Sequence, residues 1–146
     1  MNRKSFYYHF KDKYDLVNWI FDNDASQVLE KKYYDSAWEL MSKIAEILDN
    51  RRDFYKQVMQ IRGQNSFTEY FFKFFSRISM ENFRGTLDIG LFKEFQLTFI
   101  ADAFSKAYKR WIVQYNDMSI EEFITELDVC VKYLADTYEE IDLQKI

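Results

Sequence analysis

Four basic side chains, Arg3, Lys4, Lys11 and Lys13, stand against one acidic one, Asp12, in the first thirteen residues. The same stretch holds Tyr7, Tyr8 and the only histidine of the chain, His9. Ammonium and guanidinium groups neutralise phosphates and release their counterions. Phenol and imidazole groups add hydrogen bonds to phosphates or base edges. The chemistry open to these residues is the binding of a polyanion. Of 20 basic and 24 acidic side chains, 16 and 23 lie after Lys13, so a basic end sits on an acidic body. A second reading is an amphipathic helix start, with Phe6 and Phe10 packed inward and the charges merely solvated. Basic termini are common, and composition alone favours this second reading.

No catalytic pattern accompanies the basic cluster. The chain has no Gly-x-Ser-x-Gly, no phosphate-binding glycine loop and no dinucleotide fingerprint. His9 and Cys130 are each the single example of their type and lie far apart, so they give no signal for a metal centre. Glu121-Glu122 and Glu139-Glu140 are adjacent pairs, and adjacent residues do not share a helix face. The expectation is a protein that is not an enzyme, with no catalytic residues, no metal and no cofactor.

The elements that must position the basic residues are helical. In 146 residues there is no proline, and Gly63, Gly85 and Gly90 are the only glycines, too few for the turns of a β-rich protein. A hydrophobic share of 48%, with 20% aromatic, is ample for one core, so disorder is not expected. No apolar run reaches membrane-spanning length, and the basic start lacks the apolar stretch of a signal peptide. A lone thiol rules out an intrachain disulfide and fits a reducing cytoplasm. The sequence pI of about 5.1 argues against nonspecific nucleic-acid binding by the body.

Apolar spacing predicts where the helices lie. Leu16, Val17, Trp19 and Ile20 start a helix at Lys13 that runs to about Leu29. Ala37, Leu40, Met41, Ile44, Ala45 and Leu48 form an amphipathic stripe. A shorter helix is expected from Arg52 to Arg62, with Phe54, Val58 and Ile61 inward and Gly63 as its stop. Ser66-Phe67-Thr68-Glu69 has the spacing of a capping box and opens a helix to about Arg84. That helix is nearly all apolar. It is either the central core helix or the wall of a ligand cavity, and aromatic stripes are more often core. The next helix, about Leu87 to Tyr115, is expected to bury Leu91, Phe92, Phe95, Phe99, Ala103, Ala107, Trp111, Ile112 and Tyr115. Ser119-Ile120-Glu121-Glu122 is a second capping box. It begins a helix with a seam of Ile120, Ile124, Leu127, Val131, Leu134, Tyr138 and Ile141. Phe123, Cys130, Tyr133 and Thr137 give that helix a second, partly apolar edge. Such a helix can bury one face in its own subunit and the other against a copy, or dock within its own subunit alone.

The run Ser5-Phe6-Tyr7-Tyr8-His9-Phe10-Lys11-Asp12-Lys13, followed by Tyr14-Asp15-Leu16, resembles the recognition helix and turn of the TetR family of bacterial transcription regulators. Its extension through Val17-Asn18-Trp19-Ile20-Phe21 is most similar to a branch from low-GC Gram-positive bacteria (Firmicutes) that includes regulators of dihydroxyacetone kinase genes. The specific part of the resemblance covers residues 2–17, and beyond it the match is one of helix order and character.

The resemblance implies an all-α, multi-helix bundle. Residues 1–13 would be the remnant of a helix-turn-helix, and residues 14–146 an effector-binding and dimerisation body. In that family two helices precede this segment, so the chain is expected to start inside the motif and to bind DNA weakly without them. Position by position, Asn2, Arg3 and Lys4 fall where the family reads bases, and Tyr7 on bases or backbone. Tyr8, His9 and Lys13 fall on phosphate-contacting positions. The family's effector pocket among the middle helices would touch Phe71, Phe75 and Phe99, with the effector itself unknown. Its dimer forms through the last two helices, which points to Phe123, Leu127, Cys130, Tyr133 and Tyr138. The implied partners are operator DNA, a small-molecule effector and a second copy of the chain, with no membrane. The rival class is a helical dimerisation or ligand-sensing module that does not bind DNA.

Overall fold

The computed structural model describes residues 3–4, 10–31, 33–63, 66–82 and 93–137. Among these residues the chain forms seven principal helices and no strand: α1 Lys13–Asp24, α2 Ser26–Glu30, α3 Ala37–Asn50, α4 Arg52–Val58, α5 Phe67–Asn82, α6 Lys93–Gln114 and α7 Ile120–Thr137. The expected all-α fold is the observed one.

Local chemistry sets the boundaries. Asp12 caps α1 by accepting from the Asp15 amide at 2.9 Å. The helix expected to run to Leu29 is broken at Ala25, and α2 continues after a one-residue offset. Ser119 and Glu122 form a full capping box, each side chain accepting from the other's amide at 3.1 and 3.2 Å. Ser66 accepts from the Glu69 amide in the same way. Ser36 and Glu39 share that spacing, and Ser36 accepts from the Glu39 amide to start α3. Here Glu39 reaches back one residue further, to the Asp35 amide, and also takes the Lys31 ammonium.

Two expectations about burial need correction. The α4 helix ends at Val58 rather than Arg62. Tyr55, Val58 and Met59 are buried there, while Ile61 is left exposed beyond the last turn. Gly63, expected as the helix stop, lies five residues past the end at φ 121°, a conformation that suits glycine. In α6 the buried stripe is Leu97, Ala101, Ser105, Tyr108 and Ile112, with Trp111 beside it. Phe95, Phe99 and Ala103, expected inside, are exposed, as is Tyr115. The two stripes are offset by two residues, about 200° around a helix, so they lie on opposite faces. Both are apolar at helical spacing, and only packing decides which one turns inward.

Phe21 of α1 sits at the centre of the core. Edge-to-face contacts join its ring to Phe67, Tyr55, Tyr70, Phe71 and Phe74, the closest at 4.8 Å between centroids. Helix α5 lies against α6, α3 against α7, α4 against α6, and α1 against α5. The buried Tyr108 hydroxyl crosses the bundle to donate to the Met41 carbonyl. Buried hydroxyls need such a partner to avoid a desolvation cost.

Candidate functional site

The basic end leads straight into α1. Arg3 and Lys4 are helical and exposed. Lys13 is exposed at the first turn of α1, with its Nζ 5.4 Å from the Tyr14 ring centroid. Asn2, Tyr7, Tyr8 and His9 lie outside the described residues. The described part of this segment thus places four cations, Arg3, Lys4, Lys11 and Lys13, on the surface ahead of, and at the start of, α1.

Helix α1 is fastened to the body at its other end by two carboxylates. Asp22 accepts the Tyr70 hydroxyl of α5 on both its oxygens. Asp24 accepts the Tyr55 hydroxyl of α4 at 2.6 Å and pairs with Arg51 at 3.0 Å. Burial, then the bond to Asp22, pushes the Tyr70 hydroxyl up to about 12. Burial and Asp24 push the Tyr55 hydroxyl well above its ordinary range. Both phenols stay protonated and act as donors. Nothing in the sequence pointed to these clamps, because the partners are 31 and 48 residues apart. The only local hint is two aspartates at the end of an otherwise apolar-striped helix.

The three aromatic residues expected around an effector are not brought together. Phe71 and Phe75 are core residues, packed edge-to-face at 5.2 Å, and both rings also meet Tyr108. Phe99 is 67% exposed on the outer face of α6. The cause is the inversion of the α6 stripes. Neither core ring borders either of two surface concavities. One of these is a polar cleft beside α3. The other is an apolar groove of about 160 Å³ between α6 and α7, bordered by Trp111, Met118, Leu127 and Cys130.

The last two helices are only partly covered. Phe123, expected at the outer edge of α7, is 4% exposed and stacks on Trp111 inside its own subunit. Leu127 is half-buried, and Tyr138 lies outside the described residues. From Val129 to Asp136 every residue is exposed, among them Cys130, Val131, Tyr133 and Leu134. Of the expected seam, Ile120, Ile124 and Leu127 pack against the core of their own subunit and Val131 and Leu134 are exposed, while Tyr138 and Ile141 lie outside the described residues.

Among the described residues no group of three or more His, Cys, Asp or Glu is placed to hold a metal ion, and no helix is long and apolar enough to cross a membrane. A family model described as a transcriptional regulator C-terminal region, of the TetR type, matches residues 37–133. No curated protein and no solved structure matches the chain.

Proposed function

Because this chain belongs to the TetR-type family of transcriptional regulator C-terminal regions, we propose that it is the dimerising, ligand-responsive body of a cytoplasmic transcription regulator. We assign it to the Firmicutes branch of that family, with dihydroxyacetone kinase regulators among its relatives. The protein is not an enzyme in this reading. Its DNA contacts come from the basic segment ahead of α1, with Asn2, Arg3, Lys4 and Tyr7 toward bases and Tyr8, His9 and Lys13 toward phosphates. The second copy is held through α6 and α7, with Leu127, Cys130, Tyr133 and Tyr138 at the contact.

The observation that carries the reading is the apolar surface of those two helices. Phe95 is 73%, Phe99 67% and Leu134 70% exposed. Large apolar side chains left exposed on both helices suit an interaction site. A dimer through these helices sets the distance between two recognition helices, which must be about 34–36 Å apart to meet successive major grooves. A ligand that changes the packing of α1 on the body then changes that distance and so the affinity for an operator.

Light scattering at micromolar concentration tests the assembly. Fluorescence anisotropy with labelled duplexes, on a protein in which the two family helices precede Asn2, tests DNA binding. The expected results are a dimer and salt-dependent binding to a palindromic site. A monomer, or equal affinity for all duplexes, contradicts the proposal.

A further inference from the structure

An open cleft of about 230 Å³ lies between α2 and α3, with Asp24 and Lys31 on one wall and Lys43 and Glu46 on the other. Val28 and Ile47, both buried, give it an apolar floor. The amides of Gln27 and Asn50 also reach it.

The charges in this cleft are of both signs, and each is already in an ion pair. Asp24 pairs with Arg51 at 3.0 Å, Lys31 with Glu39 at 2.9 Å, and Lys43 with Glu46 at 3.4 Å. The Lys31–Glu39 and Lys43–Glu46 pairs join solvent-reached side chains and contribute little to stability, so their members can exchange partners at small loss, whereas exchange at Asp24, 14% exposed and also bonded to Tyr55, costs more. A lone anion that takes Lys43 leaves Glu46 without its cation, and a lone cation that takes Glu46 leaves Lys43 without its anion. A molecule carrying both signs replaces both halves of the pair and adds no net charge.

We infer that this cleft binds a small aliphatic zwitterion. Its carboxylate would meet Lys31 and Lys43, its ammonium Asp24 and Glu46, and its methylenes Val28 and Ile47. The binding claim stands on the cleft alone. Its consequence rests on the regulator reading. Asp24 also holds Tyr55 and Arg51, so an ammonium at Asp24 competes with a clamp on α1. Occupancy would therefore loosen the helix that carries the basic segment.

Nuclear magnetic resonance titration of the full chain with 5-aminopentanoate, pentanoate, pentylamine and 1,5-pentanediol tests the inference. Shifts at the Gln27 and Asn50 side-chain amides locate the site. The aminocarboxylate is expected to bind in the millimolar range or tighter, and the other three at least tenfold more weakly. Lys43→Gln and Glu46→Gln alter exposed positions of α3, leave the helical spectrum unchanged, and are each expected to weaken binding at least tenfold. Equal binding of any single-charge or neutral probe overturns the inference, as does an affinity that neither variant moves, or the absence of binding. The titration contains no DNA, so its failure leaves the regulator reading intact, and a failure to bind DNA leaves the cleft intact.

Discussion

Trp111 and Phe123 lie face to face, their ring centroids 4.5 Å apart and their planes 6° from parallel. The indole N–H donates to the Met118 carbonyl in the turn between α6 and α7, and the Arg52 guanidinium lies over the Trp111 ring, 4.6 Å from its centroid. This stack pins the start of α7 to α6. From Val129 to Asp136 the residues of α7 beyond this pinned point are exposed to solvent.

Removing the stack is expected to weaken the core of the subunit rather than merely free α7. Phe123→Ala is expected to destabilise the protein by about 3–5 kcal/mol, the range for truncating a buried aromatic ring. Urea denaturation followed by circular dichroism measures it. A loss of under about 1 kcal/mol, the level of an ordinary surface change, would show that the ring is not part of the core.

Substitution past the pin separates assembly from folding. Leu134→Asp is expected to leave the helical spectrum and denaturation midpoint of the isolated subunit near those of wild type, and to convert a dimer into a monomer by light scattering. A variant that stays dimeric places the contact elsewhere.

On DNA, Lys13→Ala is expected to weaken binding to all sequences alike and to lower the salt slope by about one, because a phosphate contact carries no sequence information. Arg3→Ala is expected to cost about 1–3 kcal/mol at particular operator positions only. The comparison uses the protein with the two family helices ahead of Asn2, over a series of salt concentrations. Equal effects of the two variants on matched and mismatched duplexes would refute the division of roles.

The Tyr70–Asp22 clamp gives stability an alkaline limit. Tyr70 titrates near 10 in the unfolded chain and is held up to about 12 in the fold. Its contribution is complete below pH 10 and is lost as pH rises toward 12, because the unfolded state releases the proton first. Tyr55 and Tyr108 are shifted in the same direction. The denaturation midpoint of wild type is therefore expected to fall between pH 10 and 12, and that of Tyr70→Phe to fall less steeply. Parallel pH profiles for the two proteins would count against the clamp.

Helix order was legible because capping boxes and apolar stripes are local signals. Ser119 and Glu122 need only each other to start α7, and the α3 stripe from Leu40 to Leu48 is buried as its spacing predicts. What failed needed three dimensions. Phe95 and Leu97 stand two residues apart in equally apolar stripes, and the sequence holds no preference between opposite faces of α6. Phe123 and Cys130 share an edge of α7 seven residues apart, yet Phe123 is buried on Trp111 and Cys130 is exposed. The clamps at Asp22 and Asp24 and the cleft beside them join α1 and α2 to distant partners, which no periodicity reveals.

The position of the exposed apolar residues along the chain orders events during synthesis. The core residues run from Phe21 to Phe123, and Val129, Val131 and Leu134 come after all of them. A ribosome that builds the chain from its N-terminus delivers every core ring before it delivers the adhesive end of α7. The subunit can therefore close around Phe21 and Trp111 while the α7 share of its exposed apolar surface has yet to emerge.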